Sequence, residues 1–301
     1  MRRRLTRRQK NKRNKQIIMV STICLLIVMG VGYAAFQTNL SIIAKGNIKE
    51  KKAADMLREL CTTESGDGLY IDIYEDGKCT YKGVNPNNYI TFNNETWRII
   101  SVENDKTIKI IKQSSIGSYK WDSSNSNNWD RPSDIKTYLN GEYLATMTTN
   151  QDKIVSHTWN IGPVINENNN LIDQINGENK VQSQLAYIGL ITVSEYLRAN
   201  SNIEQCENFA LNNTNHNICM TTNWIFNEGN IGYMETITPV YNSSNLIYLV
   251  DLKGPVSSMQ SNIPLTGPTN MSQGIYPVLY LSSDITLSGT GTQQDPYIIT
   301  N

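Results

Sequence analysis

Acid–base and nucleophilic chemistry need a base beside a nucleophile, and this 301-residue chain holds two histidines, His157 and His216. Neither lies in a nucleophile signature. His157 stands before Thr158-Trp159 and reads as a core or strand-edge residue, and His216 falls in an Asn-rich loop between two cysteines. Nothing clusters them into a His-type metal centre. The stretch Asp122 to Asp134 is rich in oxygen ligands, of which a hard cation takes roughly six to eight, but it lacks EF-hand spacing. Ile263-Pro264-Leu265-Thr266-Gly267 imitates a sortase signal, yet Tyr276 to Leu281 after it reads as a strand rather than an apolar tail. Gly289-Thr290-Gly291 has no helix behind it, as a phosphate loop requires. No catalytic residue, metal ligand or cofactor is expected.

Aromatic side chains are the more suggestive chemistry. Trp121, Trp129, Trp159 and Trp224, with Tyr119 and Tyr143, lie in or beside polar loops. A flat aromatic surface flanked by Asn and Asp suits a sugar ring, which stacks its C–H face and hydrogen-bonds its edge. The polar stretch 117–133 concentrates these features, so Trp121, Trp129 and Asp130 are the expected ligand-binding residues. The competing reading has the tryptophans filling the core beneath long loops.

The elements that would carry such a loop are legible from periodicity. Ile48 to Leu60 has an apolar helical face. After it the period becomes two: Tyr70 to Tyr74 and Cys79 to Tyr81 flank an Asp76-Gly77 turn, Tyr89 to Phe92 follows, and Thr96 to Val102 pairs with Thr107 to Ile111. Ser133 is an N-cap for a helix over 134–144, and Thr192-Val193-Ser194-Glu195 is a capping box opening another. Leu185 to Ile191 reads as a buried strand, 165–180 as a loop, and strands recur at 234–240, 246–252 and 276–281. Strands at both ends with helices between predict an α+β fold of short antiparallel strands and a few short helices.

Charge divides the chain. Residues 1–16 hold nine basic and no acidic residues, which leaves 18 basic against 27 acidic in the rest. An acidic body argues against a nucleic-acid partner, which needs a basic face. Ile17 to Phe36 carries no charge over 20 residues, enough for a helix to span a bilayer core of roughly 30 Å. The basic cluster before it sets the orientation. The expected layout is a cytoplasmic tail over 1–16, a transmembrane helix over 17–36 in contact with the lipid bilayer, a linker with a short helix over 37–60, and an extracellular domain over 61–301. Gly32-Tyr33-Ala34 would also suit signal-peptide cleavage, but the apolar run is long for that role. Cys24 lies within the run. Outside it, Cys61, Cys79, Cys206 and Cys219 form two local pairs, so of the three possible connectivities 61–79 with 206–219 is favoured.

Several landmarks resemble a group of membrane-anchored surface proteins of Gram-positive bacteria. They are Val31-Gly32-Tyr33-Ala34-Ala35-Phe36, Asn85-Pro86-Asn87-Asn88-Tyr89, the block around Trp97-Arg98-Ile99-Ile100, Tyr138-Leu139-Asn140, Gly189 to Tyr196, Pro277-Val278-Leu279-Tyr280-Leu281 and Gly289-Thr290-Gly291-Thr292. The group usually carries Arg before Pro-Val-Leu, where this chain has Tyr276. The resemblance implies a surface location without implying an activity, and the order of motifs looks like a C-type-lectin-like fold, which does not fix function. The expected function is a membrane-anchored extracellular binding or adhesion module for a glycan or a surface protein. The alternatives are an extracytoplasmic enzyme acting on the cell wall or secreted proteins, and a structural assembly role.

Overall fold

The computed structural model describes residues 8, 11–12, 14–15, 18–29, 50–131, 133–164, 170–202, 206, 219, 221–225, 233–251, 265–268 and 272–301. The chain divides into two units, Met1–Glu50 and Lys51–Asn301.

In the first unit, residues 18–29 are helical, and the Ser21 and Thr22 hydroxyls donate back to the Ile18 carbonyl at 2.8 and 2.9 Å. Twelve helical residues span roughly 18 Å. No helix among the described residues is long and apolar enough to cross a membrane. Residues 17 and 30–36 of the expected span lie outside the described residues.

The second unit is α+β. Among the described residues its helices are α1 (Ala53–Glu59), α2 (Asp134–Tyr138, continued by a π-helical turn over Leu139–Tyr143), α3 (Leu171–Asn179) and α4 (Val193–Arg198), with a 3-10 turn over Gln151–Lys153. The strands in its first half are β1 (Gly68–Ile71), β2 (Cys79–Lys82), β3 (Tyr89–Phe92), β4 (Glu95–Val102), β5 (Ile108–Lys112), β6 (Ser118–Lys120), β7 (Ile154–Val155) and β8 (Ile188–Gly189). Those in its second half are β9 (Tyr233–Pro239), β10 (Leu246–Asp251), β11 (Leu265–Pro268), β12 (Ser272–Gly274), β13 (Val278–Leu281), β14 (Leu287–Ser288) and β15 (Tyr297–Ile299).

One sheet runs β14-β15-β3-β4-β5-β13-β7, with β2 also on β4, β1 on β2 and β8 on β13. β4 serves three neighbours because it is long: β5 runs along one edge, while β3 pairs residues 95–98 and β2 residues 101–102 of the other; its register with β5 shifts between Ile99 and Ser101. The second sheet runs β11-β10-β9-β12-β6 and so takes in the start of the 117–133 segment. All five tryptophans are buried in the unit, none more than 1 % exposed. Two disulfides, Cys61–Cys79 and Cys206–Cys219, join the expected pairs.

Several expectations need correction. The segment 165–180 is not all loop: Asn170 accepts the Asp173 N–H at 3.0 Å and caps α3, whose Leu171, Ile175 and Glu178 face inward at helical spacing. Leu185 to Ile191 is not a buried strand. Only Ile188–Gly189 joins the sheet, while Leu185 and Tyr187 are 66 % and 45 % exposed and Ala186 pairs with His157. The helix expected from Ile48 begins at Ala53, and β1 stops at Ile71 because the Asp72 carboxylate accepts the Tyr74 and Glu75 N–H groups and turns the chain.

A candidate ligand groove

Two depressions, of about 410 and 610 Å³, open side by side on the second unit and share Pro163 and Tyr241. Three segments build them together with α3. The β9–β10 hairpin turns over 240–245, with Asn242 in the left-handed region at φ +58, and Tyr241 opens the turn. The Tyr241 N–H donates to Val164 O at 2.8 Å, which aligns the strand-like stretch 160–164 beside the hairpin. That stretch lies against α3: Gly162 N–H donates to Glu178 O at 2.9 Å, and any Cβ on Gly162 would collide with the Gly177 carbonyl oxygen. The third segment comes from the 117–133 loop. Asn127 latches it to the hairpin, its N–H donating to Ser244 O at 2.9 Å and its Nδ2 to Ser243 O and Leu246 O at 2.8 and 2.9 Å.

The smaller depression has apolar walls from Ile161, Val181 and Val240, with Asn127, Asn128 and Asn242 among its polar lining. The larger is lined by Asp173, Asn176 and Lys180, which lie along one face of α3. Tyr241 stands between them, 48 % exposed. Among the described residues Asp173 is the one carboxylate lining either depression. The Ser243 hydroxyl is committed to its own turn, donating to Asn245 Oδ1 and accepting the Leu246 N–H.

Beneath the groove the structure is fixed by buried polar groups. On the inward face of α3, Glu178 accepts hydrogen bonds from the Ser194 N–H at 3.1 Å, the Ser194 hydroxyl and the Thr238 hydroxyl at 2.8 Å. Burial outweighs these donors and pushes its carboxyl above the usual range. The capping box of α4 forms as expected, and Glu195 also takes the buried Lys109 ammonium at 2.5 Å. Arg198, on the same helix, pairs with Asp72 at 2.9 Å and with Glu75. Burial alone would raise the Glu75 carboxyl, but Arg198 and Lys78 prevail and hold it at about 2.

Of the three expected ligand-binding residues, one reaches this groove. Trp121 is fully buried, its indole N–H donating to Thr236 O at 3.2 Å, and it meets Trp129 edge to face at 5.6 Å. Trp129 lines the smaller depression but is 1 % exposed, so neither indole offers the open platform expected of it. Both are drawn inward because the loop that carries them packs on the second sheet. Asp130 is held by Lys136 at 3.1 Å and by the Gln184 N–H at 3.0 Å. His157 stacks on Tyr280 at 4.1 Å with Asp105 3.4 Å from its Nε2, and no nucleophile takes part in these contacts. His216 lies outside the described residues. Tyr276, in place of the Arg of the resembled group, is buried, and burial pushes its hydroxyl up to about 12. Among the described residues no group of three His, Cys, Asp or Glu side chains could hold a metal ion.

Sequence reasoning missed Tyr241, Asn128 in its lining role, Asp173 and Lys180. The one available signal was Tyr241 opening the polar turn Tyr241-Asn242-Ser243-Ser244-Asn245 between two apolar strands. In comparison with known proteins, no protein-family profile, no curated protein and no solved structure matches the chain.

Proposed function

We propose that residues 51–301 form a binding module that takes a glycan in the paired depressions beside Tyr241. The observation that carries this reading is the half-exposed Tyr241 ring standing at the junction of two depressions lined by asparagine side chains. A sugar ring buries its C–H face on such an aromatic and exchanges its hydroxyl hydrogen bonds with water for bonds to amides. The basic residues of 1–16, the uncharged run 17–36 and the two disulfides support a module held on the outside of a bacterial membrane by its N-terminal segment. Membership in the Gram-positive surface group and the C-type-lectin-like fold belong to the same reading, on the motifs that suggest them.

The test is a glycan-array screen of the full chain in detergent micelles, with Tyr241→Ala as the control. The expected result is selective binding to one sugar class, lost in the variant while its thermal unfolding stays within about 0.5 kcal/mol of the parent, as for an exposed position. Binding of equal strength by parent and variant would remove the site from Tyr241.

A further inference from the structure

We infer that the sugar recognised in this groove is an N-acetylated amino sugar, its acetamido group seated in the smaller depression. The inference rests on the glycan reading above and deepens it. It comes from accounting for the hydrogen-bonding capacity of two asparagines that line that depression.

A primary amide carries two N–H donors and one oxygen acceptor, and neighbouring groups decide which end is spent. Asn127 spends both donors, on Ser243 O and Leu246 O. Its Oδ1 is left as an acceptor. Asn128 is set the other way round, its Oδ1 accepting the Asp130 N–H at 3.0 Å and the Arg131 N–H at 3.4 Å. Its Nδ2 is left as a donor. Reversing either amide would face a donor with donors or an acceptor with carbonyls, so the two orientations are determined by their partners. The smaller depression therefore offers one acceptor and one donor on adjacent residues, beside the apolar side chains of Ile161, Val181 and Val240.

An acetamido group is the complement of that set. Its N–H pairs with Asn127 Oδ1, its carbonyl with Asn128 Nδ2, and its methyl leaves water against the apolar wall. The sugar ring that bears it then lies on Tyr241, which lines the same depression. A plain hydroxyl at that position of the sugar can donate to one amide and accept from the other, but it brings no methyl and leaves the apolar wall uncovered. The uncovered apolar surface counts against the hydroxyl sugar.

The experiment is a calorimetric titration of the full chain in detergent micelles with two matched trisaccharides, one of β-1,4-linked N-acetylglucosamine and one of β-1,4-linked glucose. The N-acetylated trisaccharide is expected to bind at least tenfold more tightly. Asn128→Asp keeps the oxygen that accepts the Asp130 and Arg131 N–H groups but replaces the ligand-facing donor with an acceptor. It is expected to abolish the tenfold preference while leaving the thermal transition in place. Equal affinity of the parent for the two sugars, or a preference untouched in Asn128→Asp, would overturn the inference and leave the glycan reading standing. Binding of neither trisaccharide by a folded protein, together with an empty glycan array, would overturn both.

Discussion

Arg198 keeps its charge in the interior because Asp72 and Glu75 receive it, and the three are bound into one unit with Lys78 and Glu103. A buried pair contributes little net stability over an apolar substitute, but removing one partner strands the other. Arg198→Met is therefore expected to cost about 3–5 kcal/mol in urea unfolding, since the Asp72 carboxylate stays buried without its main counter-ion. Glu178 runs the opposite way with pH. Its folded carboxyl lies above the ordinary 4.5, so its share of stability is complete below that value and lost as pH rises. The depressed Asp72, Glu75 and Glu195 carboxyls contribute stability at neutral pH that fades on acidification, for Glu75 towards about 2. Glu178→Gln, which removes the first effect and keeps the second, is expected to flatten the decline in stability as pH rises above 4.5, read by urea unfolding at each pH.

At the scale of elements, the groove depends on how closely 160–164 approaches α3. The contact is backbone against backbone, made possible by Gly162 and Gly177 facing each other. Gly162→Ala must push the two segments apart. The expected cost is about 1–3 kcal/mol, as for overpacking elsewhere, with sugar affinity falling in parallel because both depressions share the displaced Pro163. Denaturation and titration of the same variant check both effects. α4 shows why such short helices persist: Thr192 caps it, Glu195 closes the box and also binds Lys109, and Arg198 ties its last turn to the loop after β1. Most of its stability is tertiary rather than intrinsic to six residues.

For the whole second unit, the Cys61–Cys79 bridge ties the end of α1 to the start of β2 across 18 residues. Closing a loop of that size contributes about 3 kcal/mol by chain entropy, which for a unit this large corresponds to roughly 6–12 °C in Tm. A Cys61→Ser, Cys79→Ser double variant is expected to melt lower by that amount in calorimetry. An unchanged Tm would mean that β1 and β2 hold the region without the bridge.

Local physics made much of this legible in advance. The sheet around β3, β4 and β5 follows from alternating apolar residues and tight turns, and the α4 capping box from four consecutive side chains, because those interactions close within a few residues. The disulfide pairs followed from short sequence separation. α3 escaped notice because its Asn-rich composition has low helix propensity, and its inward face acquires meaning only where Glu178 meets Ser194 and Thr238. The aromatic loop was found but its orientation was not. Whether Trp121 and Trp129 face sugar or core depends on the second sheet, four of whose five strands come from segments more than a hundred residues away, and burying two indoles outweighs leaving them in water. The groove at Tyr241 could be decided only by tertiary structure, since its walls come from the 117–133 loop, the 160–164 stretch, α3 and the β9–β10 turn. No local period or spacing in the sequence connects those four segments.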